Sequence, residues 1–362
     1  MLPLIKTYLP PREVLMSRIE ATLYSGYIAQ GESVELFERK FEKFIGSGYT
    51  LSLNSGTAAL HIALILAGVK EGDEVISSAM TAEPTNVAIK MAGGIIRWAD
   101  VDYETGNISP TSIEQAINKK TKAIIVVDYA GTLVDVKKIQ EISIKYNIPV
   151  IEDAAHALGA TFNGKKTGNH FPFTVFSFQA IKHLTTIDGG ALQIQNKELY
   201  EKGKLIRWFG LDKNMPRLEN NIQYQGYKYH MNNVNATIGL VQLDTIETLL
   251  NRYYTIGKYL DLKLKGIPGL ETVVHYPNSE SSYWLYTLKV ERRDDFIKMM
   301  MENGFMASEI HKRNDLHTFL NDFPTEMPNL DKFYSRLVHI PCGWWVTIED
   351  CDKMIDLFKK GW

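Results

Sequence analysis

The chain has little cysteine, no long apolar run and almost no net charge, and each scarcity excludes a class of protein. Its two cysteines, Cys342 and Cys351, are too few for a disulfide framework and have no companions at zinc-ligand spacing. We therefore expect free thiols and no metal site. No run of about 18 apolar residues occurs, and the N-terminal segment has no long apolar stretch, so neither membrane spanning nor secretion is indicated. A cytoplasmic protein is the resulting expectation.

The charge balance also argues against a nucleic-acid partner. The formal net charge is −2, and lysine and arginine form no basic stripe. With 45% apolar and 23% charged residues, the composition is ordinary for a globular protein. A chain of 362 residues exceeds the usual size of one hydrophobic core. We expect a large domain over residues 1–250 and a smaller one over residues 251–362.

Between about residue 50 and residue 250, short apolar runs alternate with helical patterns, which is typical of an α/β fold with a mostly parallel sheet. The candidate strands lie near residues 73–79, 93–101, 122–130, 148–153 and 189–195. Residues 57–69 predict a buried helix because they are apolar nearly all round, whereas residues 135–146 predict a surface helix with one apolar face. After residue 250, a long helix is followed by strands and a last helix with a Thr347–Asp350 capping box, so this part is expected to be α+β.

Lys182 is the centre of the candidate chemistry. It follows an aromatic and β-branched run that predicts a short buried strand, and it precedes the turn residues Thr185, Thr186, Gly189 and Gly190. Apolar surroundings lower the pKa of an amine and favour the neutral nucleophile that imine formation needs. Although most lysines are surface charges, Lys182 is therefore a candidate Schiff-base lysine.

Asp153 is the second candidate catalytic residue. It ends the apolar strand segment 148–153, and ligands of parallel α/β sheets gather at the carboxyl ends of strands. A carboxylate there suits a buried ring nitrogen, although capping of a following helix is an alternative role. His156, three residues later, would share a face with Asp153 on a helical turn.

A phosphate-binding element is predicted at residues 53–60, LNSGTAAL. The segment passes through Ser55 and Gly56 into a helix that begins near Thr57, so free N–H groups and the positive end of the helix dipole could hold a phosphate. Simple helix capping is the alternative. Ser177, at the end of the strand before Lys182, could donate to the same phosphate.

Five motifs, in order along nearly the whole chain, resemble the DegT/StrS-type sugar aminotransferases, which are pyridoxal phosphate (PLP) enzymes of fold type I in the aspartate aminotransferase superfamily. They are NSGTAAL at 54–60, GDEVI at 72–76, EDAAHALGA at 152–160, FSFQAIKHLTTIDGG at 176–190 and GYKYHMNNVNATIGLVQL at 226–243. The resemblance implies a large PLP-binding domain with an N-terminal arm and a mostly parallel seven-stranded sheet flanked by helices. A smaller C-terminal α+β domain would follow.

The resemblance also implies roles for individual residues. Lys182 would anchor the cofactor and shuttle a proton, Asp153 would pair with the pyridine nitrogen, and His156 would contact the phenolic oxygen. The implied phosphate contacts are Gly56, Thr57 and Ser177.

This chain departs from the family pattern at two places that concern the cofactor. Ala82 follows Thr81 where the family often has an aromatic residue stacked on the ring, so stacking is expected to be weaker or supplied elsewhere. Lys228 and His230 lie in a segment that commonly reads Gly-x-Asn-Tyr-Arg and reaches the phosphate of the partner subunit. By resemblance, the enzyme is a homodimer with shared active sites, to which Lys228 and Asn232 are candidate contributions from the partner.

Substrate contacts are predicted in the C-terminal part. The segments HKRNDLH at 311–317 and IPCGWW at 340–345 combine basic, polar and aromatic residues that suit a sugar or phosphorylated substrate, although ordinary packing explains them equally well. The candidates are His311, Lys312, Arg313 and Trp344. His183 is a further candidate as an acid/base helper, with packing against its own loop as the alternative.

The activity implied by the resemblance is ping-pong transamination. An amino acid, with glutamate as the implied donor, would aminate the cofactor, which would then aminate a nucleotide-linked keto-deoxysugar. The product would serve surface polysaccharide, including lipopolysaccharide, or antibiotic sugars. Three alternatives stay open: a PLP-dependent sugar dehydratase, amination of a smaller phosphorylated ketone, and a non-catalytic regulator, which the lack of a basic recognition helix disfavours.

Overall fold

The computed structural model describes residues 1–362 and contains one seven-stranded β-sheet and two three-stranded β-sheets. The strands are β1 Tyr49–Leu53, β2 Glu74–Ser77, β3 Ile95–Trp98, β4 Thr121–Val127, β5 Val150–Asp153, β6 Thr161–Phe162, β7 Lys165–Lys166, β8 Phe173–Ser177, β9 Gly190–Ile194, β10 Leu270–Thr272, β11 Ser279–Glu280, β12 Tyr286–Val290 and β13 Leu337–Ile340. Each of the five predicted strand segments overlaps one of these strands, and only β4 begins before its segment, by one residue.

The helices flank the sheets and connect their strands. They are α1 Arg12–Tyr24, α2 Glu32–Ile45, α3 Gly56–Leu66, α4 Glu83–Met91, α5 Pro110–Ala116, α6 Val136–Tyr146, α7 Lys197–Arg207, α8 Asn233–Leu243, α9 Ile246–Lys263, α10 Arg293–Glu302, α11 Pro328–Arg336 and α12 Ile348–Lys360. None of them is both long enough and apolar enough to cross a membrane.

The central sheet has seven strands in the order β1-β9-β8-β5-β4-β2-β3. Neighbouring strands from β8 to β3 are parallel, and β9 alone runs antiparallel to both of its neighbours. Strands β2, β4 and β5 are short and almost wholly buried, as expected for a parallel sheet covered by helices on both faces. The predicted α/β fold with a mostly parallel seven-stranded sheet is confirmed.

The burial of helices α3 and α6 agrees with the distribution of apolar residues in their sequences. Helix α3 is buried from Ala58 to Leu64 and packs against α4, β8 and β9, in agreement with its apolar sequence. Helix α6 instead buries one face, formed by Val136, Ile139 and Ile142. Burial of about three aliphatic side chains on such a face contributes several kcal/mol, far more than the intrinsic helix propensity of this polar segment.

The C-terminal part has its own antiparallel sheet, β10-β12-β13, and its own apolar core of residues between Ile256 and Phe358. Helix α9 joins this core to the rest of the chain, because Leu249 packs on the side of α2 and α8 while Leu260 packs in the C-terminal core. The helix crosses residue 250 without a break. The domain division at that residue stays a prediction.

The final helix begins as the sequence predicts. The Thr347 hydroxyl accepts from the Asp350 N–H at 3.1 Å, and the Asp350 carboxylate accepts from the Thr347 N–H at 3.0 Å, which forms the capping box. The buried face contains Cys351, Ile355 and Phe358. Both cysteines of the chain are free and buried.

Candidate active site

A cavity of about 420 Å³ opens at the carboxyl ends of β5 and β8, where the central sheet meets the start of α3 and the loop between β2 and α4. Its position agrees with the general location of ligands in parallel α/β sheets. The structure brings together most of the residues that the motifs singled out: Ser55, Gly56, Thr57, Ala82, Asp153, His156, Ser177, Lys182 and His311.

Lys182 projects into this cavity from the connector between β8 and β9. The connector is pinned at its base, because the Phe178 N–H donates to the Gly189 carbonyl at 2.8 Å. The Lys182 Nζ lies 4.1 Å from the centre of the Trp284 ring. Burial lowers the pKa of Lys182 to about 7, although the negative charge of Asp153 opposes the shift. A large fraction of the amine is therefore neutral near neutral pH and able to act as a nucleophile.

Asp153 lies at the last position of β5 and is 4% exposed. Its Oδ2 accepts from the Thr85 hydroxyl at 2.8 Å, and its Oδ1 accepts from the Ala155 N–H at 3.1 Å. Burial raises the pKa of Asp153, while these two hydrogen bonds and the charge of Lys182 lower it. No helix follows Asp153, since the next residues form a turn, so the alternative role as a helix cap is wrong.

His156 lies in this turn, and its ring is fixed by two contacts. Its Nδ1 accepts from the Ala130 N–H at 3.3 Å, and its ring stacks on Trp284 with 3.8 Å between centroids. Burial lowers the pKa of His156 well below its usual value, so the imidazole is neutral. Because Nδ1 accepts a hydrogen bond, Nε2 carries the proton and can donate it into the cavity.

The start of α3 fits a phosphate group. Ser55 is the N-cap, and its hydroxyl accepts from the Ala58 N–H at 3.0 Å. The N–H groups of Gly56 and Thr57 precede the first helical hydrogen bond and are open to an anion. A Cβ at Gly56 would lie 3.1 Å from the Cβ of Ser177, so a larger residue would require one of the two segments to shift by a few tenths of an ångström. A phosphate cradle, a lysine amine and a buried carboxylate in one cavity are the donor set that PLP requires.

Ala82 lines the cavity at the N-cap of α4, where it can supply no aromatic face. The aromatic ring beside Lys182 comes instead from Trp284, in the C-terminal part of the chain. The Trp284 indole N–H donates to the Ile181 carbonyl at 2.8 Å, which holds the ring beneath the lysine connector.

Two residues predicted to contact substrate lie away from the cavity. His183 is buried, its Nε2 pairs with the Ser282 carbonyl at 3.1 Å, and its ring packs edge-on against Tyr253. Trp344 packs against Tyr8, and its indole N–H donates to the Lys6 carbonyl at 3.1 Å. Both residues pack against their neighbours in this structure, and packing was the alternative role for each.

The segment 311–317 is divided between the cavity and the surface. His311 lines the cavity, and its Nε2 is buried without a hydrogen-bond partner. Arg313 turns away and forms a bidentate pair with Asp315, at 2.8 Å for each bond, together with a contact to Asp331. Lys312 is exposed and does not line the cavity.

The two candidates for partner-subunit contacts also lie outside the cavity of their own chain. Lys228 is exposed, and its carbonyl accepts from the Asn54 side chain at 3.3 Å. Asn232 caps α8 by accepting from the Asn235 N–H at 2.9 Å. Their predicted role across a dimer stays a prediction.

Several residues in or beside the cavity gave no clear sequence signal. Trp284 lies in a segment that predicted only a strand, and Thr85 and Glu83 lie at the start of a helix without a recognisable motif. They reach the cavity through contacts that are distant in sequence. The spacing of four residues between Thr81, which precedes α4, and Thr85, in its first turn, was the one hint available.

A second acidic site lies on the opposite face of β5. Glu152 is fully buried and accepts from the Thr174 hydroxyl at 2.8 Å. Asp128, at the end of β4, is also fully buried and accepts from the Val134 N–H at 3.0 Å. One oxygen of each carboxyl has no donor from another residue. Burial raises the pKa of Glu152 to about 7, and burial together with Glu152 raises that of Asp128 well above its usual value.

The fold and this cavity define a fold type I aminotransferase that uses PLP. The chain belongs to the DegT/DnrJ/EryC1/StrS aminotransferase family, whose family model matches residues 12–359.

Solved structures and a curated relative agree with this assignment. The chain is similar to AtS13 from Actinomadura melliaura, with a TM-score of 0.97, 37% identity and coverage of 100% of this chain and 99% of the other. It is also similar to the sugar aminotransferase CalS13 from Micromonospora echinospora, with a TM-score of 0.96, 34% identity and full coverage of both chains. The spore coat polysaccharide biosynthesis protein SpsC from Bacillus subtilis is 29% identical over 95% of this chain and 93% of SpsC.

Proposed function

We propose that the protein transfers an amino group from an amino acid, with glutamate as the first candidate donor, to a nucleotide-linked keto-sugar for polysaccharide or related sugar biosynthesis. The placement of Lys182 and Asp153 in one cavity beside the start of α3 carries the proposal. The sugar substrate is supported by the similarity to CalS13, which is described as a sugar aminotransferase, and polysaccharide biosynthesis by the similarity to SpsC.

The residues that would hold the cofactor act mainly by electrostatics. The N–H groups of Gly56 and Thr57, with the Ser177 hydroxyl, bind its phosphate at the positive end of the α3 dipole. Asp153 would supply a buried negative charge to the ring nitrogen, and His156 would donate its Nε2–H to the phenolic oxygen.

When bound, the cofactor supplies an electron-accepting ring and a carbonyl carbon that takes the amino group from one substrate and gives it to the next. Lys182 holds the cofactor and moves the proton that this exchange requires. Its pKa of about 7 suits both directions, because a group titrating near the working pH can accept and release a proton with similar ease.

The rest of the cavity suits a polyhydroxylated acceptor. The imidazole of His311 offers a buried nitrogen without a partner, and Glu83, Gln179 and Asp188 add further polar groups to the lining. Sugar hydroxyls can both donate to and accept from such groups, whereas an apolar acceptor would leave them unpaired. His311 is therefore the best supported of the proposed substrate contacts.

A homodimer with shared sites completes the proposal. Lys228 and Asn232 lie outside their own cavity, as expected of residues that serve a partner. Exposed apolar side chains cluster at the end of α1 and in the segment after it, at Leu23, Tyr24, Tyr27 and Ile28. The Ile28 carbonyl accepts from the Asn233 N–H at 3.2 Å, so this apolar surface adjoins the start of α8.

The test is covalent trapping of the cofactor. Borohydride reduction of PLP-loaded protein, followed by peptide mapping, should place the reduced adduct on Lys182. Lys182→Ala should give no adduct and should lose at least about 10³-fold in kcat/KM with glutamate and a keto-sugar nucleotide. Lys353→Ala, which removes an exposed amine on α12, is the matched control and should behave as wild type.

Measurements on the same PLP-loaded protein separate the alternative activities. Glutamate should convert the absorbance of the loaded enzyme to that of the pyridoxamine form. Release of ammonia and a deoxy-sugar would indicate a dehydratase instead, and preference for a small phosphorylated ketone would change the acceptor. A loaded enzyme with no adduct on Lys182 would overturn the proposal.

A further inference from the structure

Two threonine hydroxyls and the carboxylate of Asp153 form a buried line of hydrogen bonds along one side of the cavity. The oxygens of Thr81 and Thr85 are 2.8 Å apart, and the Thr85 hydroxyl is 2.8 Å from Asp153 Oδ2. Thr81 and Thr85 are each 2% exposed. Thr81 and Thr85 lie on the segment from β2 to α4, which is distant in sequence from β5.

The line has one direction when Asp153 is ionised. A carboxylate only accepts hydrogen bonds, so Thr85 must donate to it. The Thr85 oxygen is then left to accept from the Thr81 hydroxyl. Because each bond polarises the next, a donor that itself receives a hydrogen bond stabilises a buried charge better than an isolated hydroxyl.

The C-terminal part anchors this line from the other side. The Asn314 side-chain amide donates to the Thr81 carbonyl, and its backbone N–H donates to the Ala79 carbonyl, both at 2.8 Å. Asn86 donates to the Asn314 Oδ1 at 2.9 Å. A threonine in a helix commonly turns its hydroxyl to the carbonyl four residues earlier. Here Asn314 engages that carbonyl, and the Thr85 hydroxyl points to another strand.

Because of the charges around Asp153, a hydrogen bond donated to its carboxylate affects its ionisation. Lys182 favours its ionisation, and the neutral His156 lies beside it in the cavity. Glu152 and Asp128, on the rear of the sheet, carry a shared negative charge that disfavours a second one nearby. With burial also acting against the charge, the Thr85 hydroxyl and the Ala155 N–H are the polar contacts that keep this carboxylate ionised.

We propose that Thr85 is a positioning residue that, backed by Thr81, keeps Asp153 ionised and aimed at the ring nitrogen of the cofactor. This inference rests on the proposed function, since it assigns Asp153 that role. Under this proposal, α4 contributes the Thr85 hydroxyl to the electrostatics of the site. The C-terminal part contributes through Asn314, which holds the Thr81 carbonyl. Thr85 acts through Asp153, whose Oδ2 accepts from its hydroxyl.

The test compares two substitutions that differ by one hydroxyl. Thr85→Val keeps the branched shape and removes the donor, whereas Thr85→Ser keeps the donor. Titration of apoprotein with PLP should show about tenfold weaker binding for Thr85→Val, the size expected of one hydrogen bond to a charged group. Thr85→Ser should stay within about twofold of wild type, and Thr81→Val should fall between them. The pH at which the absorbance of the bound cofactor changes should move for Thr85→Val and stay at the wild-type value for Thr85→Ser.

A double-mutant cycle distinguishes this role from simple packing. In an Asp153→Asn background, Thr85→Val should change PLP affinity by less than about twofold, because the charge that the hydroxyl stabilises is gone. The melting temperature of each apoprotein reports separately on folding. Wild-type affinity and pH profile for Thr85→Val, or equal losses for Thr85→Ser, would overturn the inference. Those results would leave the proposed function standing if wild-type protein still forms the Lys182 adduct.

Discussion

The two faces of strand β5 carry neighbouring carboxylates with opposite surroundings. Asp153 faces the cavity and receives two hydrogen bonds while Lys182 lies across from it. Glu152 faces the rear of the sheet, where its closest acidic neighbour is Asp128. The difference shows that one step along a strand separates a carboxylate that lines the cavity from one buried beside Asp128, because successive side chains point to opposite faces.

The protonation states of the two faces should differ as well. Asp153 has donors for both of its oxygens and can stay ionised. Glu152 and Asp128 each have an oxygen with no donor, so the pair is satisfied only when the two carboxyls share a proton. The rear pair therefore resembles a hydrogen-bonded structural element rather than a second active site.

Removing the charge on each face in turn should give the largest contrast. Asp153→Asn should lower kcat/KM by about 10²–10³-fold, as expected for loss of one preorganised electrostatic partner. Glu152→Gln should leave activity near the wild-type level, because the amide can donate to Asp128 and still accept from Thr174. Steady-state kinetics with glutamate on both variants make the comparison. Equal losses would mean that the two faces are not separate in function.

Truncating the rear carboxylate should affect stability. Glu152→Ala leaves the buried Oδ2 of Asp128 and the hydroxyl of Thr174 without a partner, and should lower the free energy of unfolding by about 3 kcal/mol. Glu152→Gln is the matched control and should lose much less. Urea unfolding followed by circular dichroism measures both values. An alanine variant as stable as wild type would show that the pair contributes nothing to the fold.

The smallest expected effect is on the pH dependence of stability. The pKa of Glu152 is about 7 in the folded protein, above its ordinary value of 4.5. A raised pKa means that the folded state favours the protonated form, so this contribution is complete below about pH 4.5 and is lost as the pH rises through about 7.

Glu152→Gln cannot titrate, so the difference in unfolding free energy between wild type and this variant should shift against wild type from about pH 5 to about pH 8. The buried histidines, whose pKa values are lowered, titrate in both proteins and cancel in this difference. Urea unfolding at several pH values provides the measurement. A difference that is constant with pH would contradict the shared proton.

Local patterns were sufficient for much of the fold and for the centre of the site. The β-branched runs located five strands of the central sheet, and the apolar character of residues 57–69 predicted the burial of α3. Lys182, Asp153 and Gly56 were predicted from their own neighbours in sequence, because Asp153 ends β5, Gly56 begins α3 and Lys182 lies on the connector that follows β8. Such signals are local, so they can be recognised without knowledge of the fold.

The errors and omissions arise where a role depends on distant contacts. Trp344 had the composition of a substrate contact, but Lys6 and Tyr8 from the N-terminal segment pack against it. Arg313 was a candidate anion ligand, yet Asp315 and Asp331 already neutralise it. Neither partner can be inferred from the residues next to Trp344 or Arg313.

The linear order of residues was enough to predict a PLP-type lysine, its carboxylate and a phosphate-binding helix start, because those functions depend on residue type at the ends of strands and helices. Folding alone assigned Trp284 to the wall beside Lys182, Thr85 to the carboxylate and Glu152 to the rear of the sheet. The reason is that hydrogen bonds and ring contacts form between atoms a few ångströms apart, whatever their separation along the chain.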